Sequence, residues 1–211
     1  MKAILCFGDS ITFGVGEMPT RGWGGRLKDY FEVKDQFHYV FNLGFPGHTS
    51  KDLLERIGAE LKTRVCIKRD GDEFLVLFSI GTNDCRYQDA PANNNVRVKE
   101  EEFRDNVKKI ISLIKKYPAK IIGLGIPPVN EKLTLPFEGE YFFTNERVKL
   151  FNDILKESCE HNDVLFLDIF ENLIKGDYSK LLKDGLHPNS EGHEKIYQIV
   201  KEFLIKNKPI K

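Results

Sequence analysis

The chain has 211 residues, 41% of them apolar and 30% charged, which is the make-up of one ordinary globular domain with a full core. Lys plus Arg and Asp plus Glu number 32 each, so the formal net charge is zero; this argues against nucleic acid or a membrane surface as partner, because both select for excess positive charge. No apolar run approaches the ~20 residues of a membrane span, and the one at the N-terminus is too short for a signal peptide.

Taken in chain order, five short runs rich in Ile, Val, Leu and Phe read as strands: Ala3 to Phe7, Tyr39 to Leu43, Phe74 to Ile80, Ile121 to Ile126 and Val164 to Ile169. They hardly alternate between apolar and polar, as expected of strands buried on both faces. Helical spacing fills the intervals. Trp23, Leu27, Tyr30 and Phe31 follow the first strand. Leu53, Ile57, Leu61 and Val65 make a stripe after the second, and Phe103, Val107, Ile110 and Ile114 make one after the third. Val148, Phe151, Ile154 and Leu155 follow the fourth, and Ile196, Ile199, Val200, Phe203 and Leu204 lie last. Thr49 to Asp52 reads as a capping box, and Glu100 to Glu102 as an acidic first helical turn. Strands alternating with helices predict an α/β fold of three layers around a parallel sheet, one domain spanning residues 1–211. Residues 85–99 and 127–145 are long for connections and predict functional loops. The four cysteines, Cys6, Cys66, Cys85 and Cys159, have no metal-site spacing and read as free thiols of a reducing, cytoplasmic compartment.

Four polar clusters lie beyond strand ends. These are Gly8-Asp9-Ser10-Ile11-Thr12, Asn42 to Gly47, Gly81-Thr82-Asn83-Asp84, and Asp184-Gly185-Leu186-His187-Pro188. In an open parallel sheet they converge on the edge where ligands bind. They bring a hydroxyl, a backbone amide among glycines, a carboxamide, and a carboxylate with an imidazole, the groups needed for acyl transfer. A serine hydroxyl needs a base to take its proton, and an imidazole oriented by a carboxylate supplies one.

These clusters resemble the four sequence blocks of the GDSL/SGNH hydrolases, a superfamily of esterases and lipases. The blocks occur in the family's order between residues 8 and 187, with Ile11 where the family's motif name has leucine. The Pro127-Pro128-Val129 stretch is similar to the lysophospholipase-like and isoamyl-acetate-hydrolase-like branches. The resemblance implies a flavodoxin-like sheet in the order 2-1-3-4-5. It implies Ser10 as nucleophile, His187 as general base and Asp184 as its orienting partner. It implies an oxyanion hole built from the Ser10 amide, the Gly44 amide and the Asn83 side chain, and a small-molecule carboxylic ester as substrate, with no cofactor and no metal. Asp9 and Asp84 read as loop-bracing residues, His193 as packing or capping the last helix, and His48 as either a polar loop residue or one lining the site without chemistry. Tyr87, Phe137, Tyr141, Phe142 and Phe143 are candidates for the acyl pocket, and Arg86 reads equally as a solvent-facing residue or as one meeting an anionic or polar leaving group. A carbohydrate O-deacetylase or an acyl thioesterase would use the same groups. A non-catalytic ligand-binding module is the alternative of another class.

Overall fold

A computed structural model describes residues 1–66 and 69–210. The strands are β1 (Lys2–Gly8), β2 (His38–Gly44), β3 (Glu73–Ser79), β4 (Lys120–Leu124) and β5 (Leu165–Leu167). The helices are α1 (Ser10–Phe13), α2 (Gly22–Glu32), α3 (Ser50–Arg64), α4 (Glu100–Ile114), α5 (Glu131–Thr134), α6 (Asn145–Glu160), α7 (Ile169–Ile174) and α8 (Ser190–Asn207). The five strands form one sheet in the order β2-β1-β3-β4-β5, as expected, and every pairing is parallel.

The period of two along each strand divides the core into two halves. Ala3, Leu5 and Phe7 of β1, with Phe74, Val76 and Phe78 of β3, face α3, α4 and α6. Ile4 and Cys6, with Leu75 and Leu77, face the other way, towards α2 and α8. All of β3 from Phe74 to Phe78 is buried. Each such side chain contributes roughly 1.5–3 kcal/mol by leaving water. The sheet is therefore covered on both faces, and only its edges and strand ends remain for chemistry.

The fifth apolar run splits where the sequence predicted one strand. β5 stops at Leu167, and Asp168 caps α7 by accepting from the Glu171 N–H at 3.1 Å. The short helices α1, α5 and α7 lie where the sequence predicted none. Thr49 caps α3 in a full capping box with Asp52. Glu100, Glu101 and Glu102 occupy the first turn of α4.

All four cysteines are free, and Cys66 alone is exposed. Burial pushes the Cys6 and Cys85 thiols far up and the Cys159 thiol up to about 12. Since the thiolate is the reactive form, iodoacetamide at neutral pH is expected to label Cys66 and spare the other three while the protein is folded. Peptide mapping that finds equal labelling of Cys85 would contradict this packing.

Candidate active site

Three strand ends lie level: Gly8 of β1 sits beside Gly44 of β2 and Ser79 of β3. The segments leaving these three strands therefore meet at one edge. After β1, Asp9 caps α1 by accepting the Ile11 N–H at 3.0 Å, and Ser10 opens the helix. After β3, the chain turns through Gly81 to Asp84. The fourth cluster comes from far along the chain. Lys183 N–H donates to His187 O at 2.7 Å, and Asn189 caps α8 by accepting from Gly192 N–H at 2.9 Å. His187 is thereby held on a short turn ahead of α8.

The turn places His187 between Ser10 and Asp184. Its Nε2 lies 3.0 Å from Ser10 Oγ, and its Nδ1 lies 2.8 Å from Asp184 Oδ2. The other carboxylate oxygen, Oδ1, accepts the backbone N–H of Leu186 at 2.9 Å and of His187 at 2.7 Å. Burial raises the Asp184 pKa, but the hydrogen bonds from the His187 ring and from these amides outweigh it and hold the carboxyl below its ordinary value. An ionised Asp184 fixes the proton of neutral His187 on Nδ1 and leaves the Nε2 lone pair facing the Ser10 hydroxyl.

Asn83 stands beside this row. One of its two amide N–H groups donates to His48 O at 3.1 Å, and the second is left over. Asp84 turns the other way, into the protein. It accepts from Ser50 N–H with both oxygens at 3.0 Å and from Ser50 Oγ at 2.5 Å, so it ties this turn to the start of α3. Arg56 of α3 completes the frame by donating to Gly8 O at 3.1 Å, Leu43 O at 2.8 Å and His48 Nδ1 at 3.2 Å.

The Gly44 amide departs from expectation. Phe45 N–H donates to Gly8 O, towards β1. Successive amides of a strand point to opposite sides, so the Gly44 N–H leaves the open edge of the sheet. There it donates to Asn42 Oδ1 at 3.0 Å. Three residues on, Phe45 to His48 form a β-turn closed by His48 N–H to Phe45 O at 3.3 Å. Pro46 and Gly47 are its central pair, and Gly47 has φ +81°, as a type II turn requires. Among the described residues nothing accepts from the Gly47 N–H or the Ser10 N–H. Spacing between glycines did not tell Gly44 from Gly47; the Pro-Gly pair was the available signal.

A second set of residues, of which the sequence singled out His193 alone, ties the turn carrying His187 to the segment that follows Ser10. The chain beyond α1 passes His187 so closely that a Cβ on Gly16 would lie 2.2 Å from Pro188 O. Next to it, Glu17 accepts two hydrogen bonds from Arg26 at 2.7 and 2.6 Å, one from Ser190 Oγ at 2.9 Å and one from Gly22 N–H at 2.9 Å. Those bonds hold Glu17 down at about 2. His193, fully buried in the first turns of α8, bonds Val15 O through Nε2 at 3.0 Å. These contacts join residues 15–17 to α8, with Arg26 of α2 across both. No sequence motif announces them, since Glu17 and Ser190 are 173 positions apart.

Of the five aromatic candidates, Phe137 meets the row, edge-on to the His187 ring with the ring centroids 6.1 Å apart. Phe143 is packed into the core. His48 stacks on Phe45 at 4.2 Å and meets Asn83 through its carbonyl. A cavity between α2 and α8, lined by Leu27, Tyr30, Leu204 and Ile210, holds none of these residues.

Asp9 and Asp84 are both buried. Burial raises Asp9 from 3.8 to about 6 against its bonds from Ile11 and Thr82. It raises Asp84 from 3.8 to about 7, with the Asp9 charge adding to it. The folded state therefore binds more protons than the unfolded chain between pH 4 and 7. Stability from these groups is full below about pH 4 and is lost as pH rises towards 7. Asp84→Asn removes the Asp84 share. Its Tm is expected to climb relative to the parent protein between pH 4 and 7, and parallel Tm curves would refute the assignment.

Among the described residues, no helix is long and apolar enough to cross a membrane, and no group of three or more His, Cys, Asp or Glu is placed to hold a metal ion. Comparison with known proteins agrees with the geometry. The chain is 26% identical to an isoamyl acetate-hydrolyzing esterase of Saccharomyces cerevisiae, across 96% of this chain and 87% of that one. Its fold matches a lipase/acylhydrolase from Enterococcus faecalis with a TM-score of 0.73 at 22% identity, covering 97% of this chain and 95% of that one. It also matches a carbohydrate acetylesterase family member from Sinorhizobium meliloti with a TM-score of 0.68 at 16% identity, covering 97% of both chains. The model of the GDSL-like lipase/acylhydrolase family matches residues 6–195, a span that takes in Ser10, Asn83, Asp184 and His187, and to that family this chain belongs.

Proposed function

We propose that the protein is a serine esterase that hydrolyses small or single-chain carboxylic esters through an acyl-enzyme. The observation that carries this reading is the hydrogen-bonded row Ser10–His187–Asp184, with its links of 3.0 and 2.8 Å. Ser10 Oγ attacks the ester carbonyl as His187 Nε2 takes its proton. The imidazolium, stabilised by Asp184, then returns that proton to the departing alkoxide. Water enters by the same route to release the acid. The oxyanion is met by the Ser10 N–H, the spare Asn83 N–H and the Gly47 N–H, with Gly47 in place of Gly44. The single-domain reading belongs to the same proposal, because the row draws on residues 177 positions apart. A cytoplasmic setting fits the four free thiols.

The test pairs turnover with covalent labelling. A short-chain 4-nitrophenyl ester is expected to be cleaved, and an organophosphonate to add one adduct, mapped by mass spectrometry to Ser10. Thioester and acetyl-sugar substrates in the same panel separate esterase from thioesterase and deacetylase. Absence of turnover on every arm, or labelling at another residue, would overturn the reading.

A further inference from the structure

The loop between β3 and α4 carries a like-charge pair with no carboxylate among the described residues at ion-pair distance from either member. Tyr87 bridges Val96 in antiparallel sense. On either side, Arg97 N–H donates to Arg86 O at 2.9 Å and Gln88 N–H donates to Asn95 O at 2.8 Å. This register sets Arg86 and Arg97 directly opposite one another, and directly opposed residues share one face of a ladder. Like charges so placed are destabilising. A carboxylate between them would offset the cost, but among the described residues neither guanidinium is in an ion pair.

Arg86 lies 3.8 Å over the Tyr141 ring and donates from Nη2 to Gln88 Oε1 at 3.0 Å. Its Nε is buried without a partner. The Arg97 side chain donates to no described residue. The nearby acids attract the pair without reaching ion-pair distance: Asp52 and Asp84, which act on Arg97, are held by the cap of α3 and by Ser50, Glu140, which acts on Arg86, is exposed, and Asp89 accepts from Asn95. The pair is tied to the row around His187. Tyr87 N–H donates to Phe142 O at 2.9 Å, Phe137 bridges Tyr141, and the Phe137 ring abuts His187. Asp84, two positions before Arg86, adjoins Asn83.

We propose that Arg86 and Arg97 form an anion subsite, and that the substrate of this enzyme is a carboxylic ester bearing a carboxylate or phosphate on the portion lying over the β3–α4 loop. Guanidinium forks match both oxyanions in shape and charge. The net charge of the chain is zero, so the preference is local and is screened by salt within about 10 Å. The substrate half of this proposal rests on the esterase reading; the anion-binding half does not.

Three esters test it: neutral 4-nitrophenyl hexanoate, the mono-4-nitrophenyl ester of adipic acid, and 4-(hexanoyloxy)phenyl phosphate. At low ionic strength at least one anionic ester is expected to show kcat/KM tenfold or more above the neutral one. The arm that does so identifies carboxylate or phosphate. In the Arg86→Gln/Arg97→Gln double variant that ratio should fall at least tenfold, mainly through KM, and its dependence on salt should flatten. A ratio near one in the parent protein, or an unchanged ratio in the variant, overturns the subsite.

A binding arm needs no turnover. Adipate or inorganic phosphate is expected to raise the Tm of Ser10→Ala but not of Ser10→Ala/Arg97→Gln. If no ester is cleaved while an anion still binds through Arg97, the esterase reading falls and the subsite stands. If esters are cleaved without preference and neither anion binds, the subsite falls alone.

Discussion

Ser10→Ala is expected to lower kcat for ester hydrolysis by about 10⁴-fold or more, with little change in Tm. The size of the effect comes from the arrangement. Ser10 Oγ has one hydrogen-bond partner among the described residues, His187 Nε2 at 3.0 Å, so its removal takes away the attacking atom and little else. The residual rate comes from the oxyanion donors and substrate binding, which still favour attack by water. Release of 4-nitrophenol, followed together with the phosphonate adduct, checks this. Retention of a tenth of the parent activity would mean that another group attacks the carbonyl. His187→Ala, which keeps the hydroxyl but removes its base, should approach the same floor, because the row acts as a unit and its losses do not add.

The second large effect is expected at Asn83. Its side-chain amide has two N–H groups, and one is occupied by His48 O at 3.1 Å. In the proposed oxyanion hole, the other meets the carbonyl oxygen as that oxygen becomes an anion. Asn83→Ala should therefore cut kcat by about 10²–10³ while KM moves a few-fold, the pattern of a contact made mainly in the transition state. The bond to His48 O also steadies the turn that presents the Gly47 N–H, so part of the loss is positional. Asn83→Asp separates the two contributions. It removes the donor and places a negative charge beside the oxyanion, so it should be slower than Asn83→Ala. A change confined to KM would show that Asn83 contacts the ground state.

The layered fold was legible because the strands are buried on both faces, and β1 and β3 read as nearly unbroken apolar runs. The legibility ended where one apolar run served two elements. Leu165 to Ile169 looks continuous, yet Asp168 caps a helix within it, and a cap inside an apolar stretch leaves no change of period to detect. Within the site, Ser10, Asn83, Asp184 and His187 were legible from four short blocks. The glycine of the proposed oxyanion hole was not, because which way an amide points depends on strand pairing. Phe45 N–H bonds towards β1, so the Gly44 N–H before it points to the other side of β2, where no further strand lies. The Glu17–Arg26–Ser190 contacts were hidden for a different reason: side chains so far apart in the chain meet only after the sheet and α8 have assembled. The Arg86–Arg97 apposition was likewise set by a hairpin register that no turn residue in 85–99 announces.

The contacts that join residues 15–17 to α8 also carry a consequence for folding. Ser10, just beyond β1, is made first. His187 follows 177 residues later. On the proposed mechanism, the Ser10 hydroxyl has no base until Glu17 and Val15 capture the start of α8, and onset of hydrolysis during refolding would report the docking of that helix.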